Sequence, residues 1–340
     1  MNNKIKIGSN LIDLNKSVYI IAEIGINHEG NIDTCERMIK EAAMIGVDAV
    51  KLQTIDPDEN YHEGSISYAL FKKAWLNPEE TEKMFIYGRS LGVEVFTTVG
   101  DFKTLDWVIK LKPKLYKISS GLISHIPLIK KIAKLNTTVL ISKGTADENE
   151  VDLAVDNFLQ SGNKSLILLH CVSSYPTPFD QTNLSAITKM KKKYSFPIGY
   201  SDHALGYKAT IAATILGSSV IEKHFTLDNT RKSFDHSISL DVKNFQNMIK
   251  DINIFKSMNG TGDSWTSPVE LENKKWMRRI LIARNNLAIN HKITENDVMF
   301  MRPAAGTKGL KPIDIYKVIG KEVKKEIMKN MPIHLESLYD

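Results

Sequence analysis

The 340-residue chain contains only two cysteines, Cys35 and Cys171. Two thiols far apart in sequence cannot build a disulfide framework, and their spacing carries no metal signature. Both are expected as buried free thiols in a reducing compartment. No apolar run approaches the roughly 18–20 residues needed to span a bilayer. The opening stretch, MNNKIKIGSN, lacks the apolar core of a signal peptide. The expected setting is the cytoplasm, with no membrane partner. No glycine-rich phosphate fingerprint comes after the first predicted strand, which argues against a doubly wound dinucleotide-binding sheet. RNP-type aromatic motifs and zinc-finger spacings are missing as well. With 42% hydrophobic and 25% charged residues, the composition excludes a disordered, collagen-like or coiled-coil chain.

The charge balance is 45 Lys+Arg against 39 Asp+Glu, a formal net charge of +6. Such a balance suits nucleic acid or a small anionic substrate. The basic residues are scattered, however. The one dense run, Lys189 to Lys193 with Met190 inside it, ends an amphipathic stretch, where cations complement a helix C-terminus. It reads as a solvated helix face, and no nucleic-acid partner is expected.

Short β-branched runs alternate with stretches of helical period. Eight predicted strands can be counted: Val18–Ile24, Ala49–Gln53, Val93–Thr97, Leu115–Ile118, Thr138–Ile141, Leu166–Leu169, Phe196–Gly199 and Val220–Lys223. Near-continuous apolar strands separated by helices indicate a parallel sheet covered on its outer face. Helix punctuation supports the count. Asn77-Pro78-Glu79-Glu80 supplies an N-cap, a proline at the first helical position and a glutamate at the third, with Gly92 as the stop. Asp147 with Glu150 opens another helix, and Gly162 closes it. Eight such units in about 250 residues match an α/β fold of the (β/α)8 TIM-barrel type. Lys4 to Leu14 reads as a β-hairpin around Gly8-Ser9-Asn10 that plugs the bottom of the barrel. The connection Thr54 to Asn77 is long enough to be read as a functional loop or lid. We place the barrel at 1–258, a turn-rich linker beginning Asn259-Gly260-Thr261-Gly262-Asp263-Ser264 at 259–276, and a small β-rich domain at 277–340.

In a (β/α)8 barrel the reactive groups stand at the C-terminal ends of the strands. Those positions are densely polar here: Glu23, Asn27 and His28; Lys51 and Gln53; Thr97 and Thr98; Lys117, Ser119 and Ser120; Ser142 and Lys143; His170, Ser173, Ser174 and Tyr175; Ser201, Asp202 and His203; Glu222, Lys223 and His224. Lys51 and Lys117, with Ser120, Ser142 and Ser201, form a ring of cations and hydroxyl donors suited to a phosphate dianion. Singly, each lysine reads as a snorkelling surface residue. His203 and His224 end adjacent strands, whose axes lie about 5 Å apart, and barrel closure brings Glu23 alongside. Two imidazoles and a carboxylate can hold a divalent ion with positions open for substrate; two ordinary polar histidines are the other reading. His170, beside Cys171, reads as a structural hydrogen-bonding residue. Asp235, before His236 on the last βα loop, either accepts from a substrate hydroxyl or stabilises its turn.

These motifs, in this order, resemble those of the sialic acid (N-acylneuraminate) synthase family. The match rests on Ile21-Ala22-Glu23-Ile24-Gly25-Ile26-Asn27-His28-Glu29-Gly30, Val50-Lys51-Leu52-Gln53-Thr54, Tyr116-Lys117-Ile118-Ser119-Ser120-Gly121, His170-Cys171 with Tyr175-Pro176-Thr177-Pro178, Gly199-Tyr200-Ser201-Asp202-His203 and Ile221-Glu222-Lys223-His224-Phe225-Thr226. Arg278-Arg279 and Met301-Arg302-Pro303-Ala304 resemble the antifreeze-like (SAF) module of the family. The resemblance implies condensation of phosphoenolpyruvate (PEP) with the open-chain aldehyde of an N-acylated hexosamine, giving a nine-carbon 2-keto acid and phosphate. It implies manganese or magnesium on His203 and His224, polarising the aldehyde. Lys51, Lys117, Ser120, Ser142 and Ser201 would hold PEP, and Glu23 would manage protons or orient the water that adds at C2. Gln53, Tyr175 and Asp235 would face the sugar. We count Glu23, Lys51, Lys117 and Asp235 as candidate catalytic residues, and Thr98 joins the substrate-binding set. The family also forms domain-swapped dimers, which implies that Arg302 reaches the partner's barrel toward the N-acyl group.

Several positions depart from the family pattern: Thr98-Val99-Gly100-Asp101 in place of Thr-Pro-Phe, Leu122 in place of a glutamate after Gly121, Ser142-Lys143-Gly144-Thr145 in place of Ser-Thr-Gly-Met, and Ser233-Phe234 in place of Gly-Pro. Leu122 removes a carboxylate acceptor, which favours a deoxy or diacetamido sugar. Two other functions compete. One is a related barrel synthase making a seven- or eight-carbon keto acid from a sugar phosphate; such enzymes lack the SAF module and need an extra basic site. The other is a catalytically inactive sugar-binding protein, which would not need both a metal pair and a phosphate ring.

Overall fold

Side chains alternate across a strand, so a strand lining a barrel presents every second residue to the interior. A computed structural model describes residues 4–14, 17–260, 262–263 and 266–339 of the chain. Sequence expectations for residues 1–3, Thr261, Ser264 and Asp340 lie outside the described residues. The chain divides into two compact units, 1–260 and 261–340.

The first unit opens with an antiparallel hairpin, β1 (Lys4–Ile7) and β2 (Asn10–Asp13). Eight parallel strands come next: β3 (Tyr19–Gly25), β4 (Ala49–Leu52), β5 (Glu94–Thr97), β6 (Leu115–Ile118), β7 (Thr138–Ser142), β8 (Leu166–His170), β9 (Ile198–Asp202) and β10 (Val220–His224). Their order is β5-β4-β3-β10-β9-β8-β7-β6. A bridge between Thr98 and Lys117, with Val99 N–H donating to the Lys117 carbonyl, closes the ring. This is the (β/α)8 barrel, and closure excludes the open sheet. All eight predicted strands form. The largest displacement is in β9, which starts after Pro197, a residue with no N–H to give to a ladder, and runs on to Asp202. Ser201 and Asp202 therefore belong to the strand itself.

Helices cover the outer face: α1 (Ile32–Met44), α2 (Pro57–Asn60), α3 (Ile66–Ala74), α4 (Pro78–Ser90), α5 (Phe102–Val108), α6 (Ile126–Ala133), α7 (Glu148–Gln160), α8 (Ser185–Lys193), α9 (Lys208–Ile215) and α10 (Val242–Asn259). The capping boxes at Asn77/Glu80 and Asp147/Glu150 both form. The stretch 54–77 corrects the loop reading, because α2 and α3 lie within it. Its start is pinned to α5 by Asn60 Nδ2 donating to Asp101 Oδ2 (2.7 Å) and by Lys103 pairing with Asp56 and Glu59. The departure at Gly100 has its reason here. A β-carbon at that position would collide with Asn60 Oδ1, so the Asn60 amide occupies the space a larger residue needs.

Outward-facing Val50, Ile118, Ile141 and Leu168 pack with the helices, whereas inward-facing Tyr19, Ile21, Phe96, Leu115, Leu140, Ile167 and Val220 fill the barrel. Ile5, Ile7 and Leu14 of the hairpin segment join that interior set, so the hairpin closes the N-terminal end.

In the second unit, α11 (Pro268–Met277) occupies the second half of the stretch expected as linker, started by a Ser267/Glu270 capping box. Strands β11 (Ile280–Ala283) and β12 (Val298–Met301) pair antiparallel. They pack with Leu287, Ile293, Val318, Val323, Ile327 and Ile333 in a separate small core.

The turn after β3 carries a buried histidine. His28 Nδ1 accepts from the Gly30 N–H at 3.1 Å, and burial pushes its pKa down from 6.5 to about 4. The folded value lies below the unfolded one, so this group's contribution to stability is full above pH 6.5 and is lost as the pH falls toward 4. The unfolding free energy should drop through that window by up to about 1.4 kcal/mol per pH unit on account of His28. His28→Asn, which keeps an acceptor, should flatten the slope in denaturant titrations at stepped pH. An unchanged slope would contradict the assignment.

Candidate active site

Several barrel strands are apolar inside near their start and polar inside near their end. The series Tyr19, Ile21, Glu23 on β3 and Val220, Glu222, His224 on β10 show the change within one alternating face. The polar ends converge on a cleft with about 330 Å³ of free space that opens to solvent. It is lined by Lys51, Gln53, Thr98, Lys117, Ser119, Ser120, Ser142, Cys171, Tyr175, Ser201, His203, Glu222 and His224. Apart from Arg302, Glu23 and Asp235, this includes every site residue expected from the sequence. Glu23 lies directly behind it, bonded to Gln53 and Lys51.

At the centre stands Glu222. Its carboxylate receives Lys117 Nζ at 2.7 and 2.8 Å, Lys51 Nζ at 2.8 Å and the Ser201 hydroxyl at 2.8 Å. Lys51 also pairs with Glu23 Oε2 at 3.0 Å, and Gln53 Nε2 donates to Glu23 Oε1 at 2.9 Å. This corrects the picture of a ring of uncompensated cations: two buried carboxylates partner the two lysines. Even so, each ammonium has three protons and makes two carboxylate contacts, so a donor remains on each for a ligand. Burial works against the Glu222 carboxylate, but Lys117 and Lys51 overcome it and hold its pKa low. Burial raises Glu23 and lowers Lys117. Glu222 was visible in the sequence as a strand-end residue. Its place two residues before His224, on the same face, was the signal that it belongs inside.

Around this cluster stand hydroxyls without a settled role in the fold. Thr98 Oγ1 is buried without a hydrogen-bond partner, and Ser142 Oγ, likewise unpaired with any oxygen or nitrogen, lies beside the Cys171 thiol. Ser120 Oγ lies 2.9 Å from Ser173 Oγ. Buried polar groups are almost always satisfied, so unpaired hydroxyls facing two lysines mark a place for an external acceptor.

The imidazoles of His203 and His224 face each other with centroids 5.5 Å apart. His203 Nδ1 donates to the Val172 carbonyl at 2.8 Å, which leaves the lone pair on Nε2. His224 Nδ1 is buried with no hydrogen-bond partner, 3.7 Å from Asp235 Oδ2. Burial lowers both pKa values, His203 to about 4, so both rings are neutral near pH 7. Burial also raises Asp235 to about 6. The Asp235 side chain does not cap the turn after it; it is held toward His224 by a loop clamp. Asn27 Oδ1 accepts from the Asp235 N–H, and Glu29 Oε1 receives Arg231, Ser233 and His236. Tyr175 lays its ring 4.2 Å from His203 and edge-on to His224.

Other expectations fall outside the cleft. Arg302 comes directly after β12 in the second unit and is exposed. Leu122 does not line the cleft; it packs against the outer apolar layer. His170 bonds the Thr182 carbonyl through Nε2, the structural role expected of it. Lys189 and Lys193 pair with Glu148 and Asp152, as a solvated helix face should. Both cysteines are buried and free. Among the described residues no helix is long and apolar enough to cross a membrane.

Comparison with known proteins agrees with this architecture. Residues 38–264 match the model of the NeuB family, and residues 278–338 match the SAF domain. An uncharacterized protein of Methanocaldococcus jannaschii is 37% identical over 89% of this chain and 90% of its own length. The N,N'-diacetyllegionaminic acid synthase of Legionella pneumophila is 31% identical over 91% of each chain. The crystal structure of an N-acetylneuraminic acid (sialic acid) synthetase from Leptospira borgpetersenii, in complex with citrate, superposes with a TM-score of 0.77. It is 34% identical and covers 80% of this chain and 95% of its own. With two thirds of its length under one family model and its strand-end residues gathered as that family's motifs imply, the chain belongs to the NeuB family and carries a SAF domain after its barrel.

Proposed function

We propose that the chain condenses phosphoenolpyruvate with the open-chain aldehyde of an N-acylated hexosamine, releasing phosphate and forming a nonulosonic acid. The observation that carries this reading is the convergence of two buried lysines, unpaired Thr98 and Ser142 hydroxyls and two neutral imidazoles on one cleft. The lysines and hydroxyls suit the phosphate and carboxylate of the enol compound. The imidazoles lie on the side that Tyr175 and Asp235 flank, where the sugar would enter.

Lys51 and Lys117 bind PEP and hold its C3 toward the aldehyde carbon. The new C–C bond forms between those atoms, water adds at C2, and the C2–O bond to phosphate breaks. Glu23, its pKa raised by burial, is placed to take the proton of that water. Gln53 holds Glu23 in place, and Ser120 and Ser142 donate to the ligand's oxygens, while the Ser201 hydroxyl proton goes to Glu222. His203 and His224 fit a divalent cation: both are neutral, and His224 Nδ1 is buried without a partner. Among the described residues no third His, Cys, Asp or Glu groups with them as a ligand cluster, so water and substrate oxygens would complete the shell. Manganese or magnesium bound there would supply the Lewis acidity that makes the aldehyde electrophilic.

A domain-swapped homodimer belongs to the same proposal, with Arg302 of one copy directed to the N-acyl group in its partner's barrel. Exposed Phe300 and Met301 beside Arg302, and exposed Tyr175 and Phe179 at the rim, are apolar surfaces suited to such docking. The setting proposed is the cytoplasm, with no nucleic-acid or membrane partner. For the acceptor we favour a diacetamido-deoxy hexose over N-acetylmannosamine; Leu122, which lies outside the cleft, does not bear on that choice. The name of the Legionella relative agrees.

Phosphate release with PEP, a divalent cation and a panel of aldoses tests the reading. The diacetamido-6-deoxy hexoses should give the higher kcat/KM; a clear preference for N-acetylmannosamine would refute the acceptor assignment, and turnover only with sugar phosphates would refute the function. His224→Ala should abolish metal-dependent turnover while the circular dichroism spectrum stays unchanged. Undiminished activity would remove His224 from the metal site.

A further inference from the structure

Behind the cleft, on the side of β9 and β10 that faces the helices, lies a fully buried ion pair. Asp202 and Lys223 are register partners on adjacent strands, and both side chains are 0% exposed. Strand alternation turns them outward while Ser201, Glu222 and His224 turn inward. Outward-facing neighbours on other strands, such as Val50, Ile118 and Ile141, are apolar. A buried ion pair is a weak stabiliser, because desolvation offsets most of the attraction, and apolar replacements are often neutral or better. Stability alone therefore does not account for a charged pair in this layer.

Its contacts point to another role. Asp202 Oδ1 accepts from Tyr200 OH (3.1 Å) and from the Ala204 N–H (2.9 Å). Oδ2 accepts from Thr210 Oγ1 (2.7 Å) and Lys223 Nζ (3.1 Å). Lys223 Nζ also donates to the Ala204 carbonyl at 2.5 Å. Both polar groups of Ala204, the residue after His203, are thus held from behind by the pair. The carbonyl of His203 itself accepts from the Thr177 N–H at 3.0 Å. Because Lys223 precedes His224, one ion pair ties the backbone after the first imidazole to the backbone before the second.

We infer that Asp202 and Lys223 are positioning residues that set the spacing and orientation of His203 and His224 without touching any ligand. The inference rests on the divalent-cation reading of that histidine pair. It also accounts for the triplets Ser-Asp-His and Glu-Lys-His as units: in each, the outer two residues face the cleft and the middle one stands behind the wall, bracing the histidine.

The test is Mn2+ binding to the full chain, monitored by electron paramagnetic resonance of the free ion, alongside PEP binding by calorimetry. Asp202→Asn and Lys223→Met should each weaken Mn2+ binding about 10- to 100-fold, the range seen when partners of metal ligands are removed, and leave PEP affinity unchanged. Either single variant could misfold by stranding a buried charge. The double variant Asp202→Leu/Lys223→Met replaces the pair with apolar groups and should fold, yet still bind Mn2+ weakly. A folded double variant with wild-type Mn2+ affinity would overturn the positioning role. Failure of the wild-type protein to bind Mn2+ would instead overturn the cation reading, and this inference with it.

Discussion

One carboxylate organises the barrel's upper end. Glu222 sits at the centre of the ring with Lys51, Lys117 and Ser201 all donating to it. Removing one partner from such an arrangement strands a buried charge, a loss of about 3–5 kcal/mol. The strands that carry these groups, β4, β6, β9 and β10, are therefore bound across the interior as well as along their ladders. Placing two ammonium groups in a buried space is possible only because Glu222 and Glu23 balance them. The same balance holds both ammonium groups at the edge of the cleft.

The remaining architecture comes from a change of chemistry along a fixed geometry. On β3, β6 and β10 the inward face begins with Tyr, Leu or Val and ends with Glu, Lys or His. The lower layers supply the hydrophobic driving force, and the hairpin's Ile5 and Ile7 seal them from below. The upper layer inherits rigid backbone positions and uses them for polar groups. On the far side of the wall the helical layer is largely apolar, and the Asp202–Lys223 ion pair stands within it behind the histidines. The loop bearing Asp235 is held separately, by Glu29 and Asn27 from the neighbouring βα turn.

Much of this was legible in the sequence, because strand-end chemistry in a parallel barrel is read directly from apolar runs and the polar residues that end them. The capping boxes at Asn77 and Asp147, the eight strands and the residues of the cleft all emerge that way. The features that escaped did so for physical reasons. The partners of Lys51 and Lys117 are set by barrel closure, which joins residues more than a hundred positions apart, as in Lys117 and Glu222. The helices within 54–77 carry few buried residues, so periodicity gave little warning of them. Leu122 belongs to a short turn whose direction no pattern encodes. Arg302 lies exposed in the second unit, where no barrel strand-end pattern reaches.

The central claim, that the lysines around Glu222 form the seat of an enol phosphate, is tested most directly by titrating PEP into the protein without any sugar present. Wild-type protein should bind PEP, and Lys117→Met, checked as folded, should bind it at least about tenfold more weakly, as expected for loss of a charge-assisted contact worth about 1.4 kcal/mol or more. Equal PEP affinity in the two proteins would contradict the account.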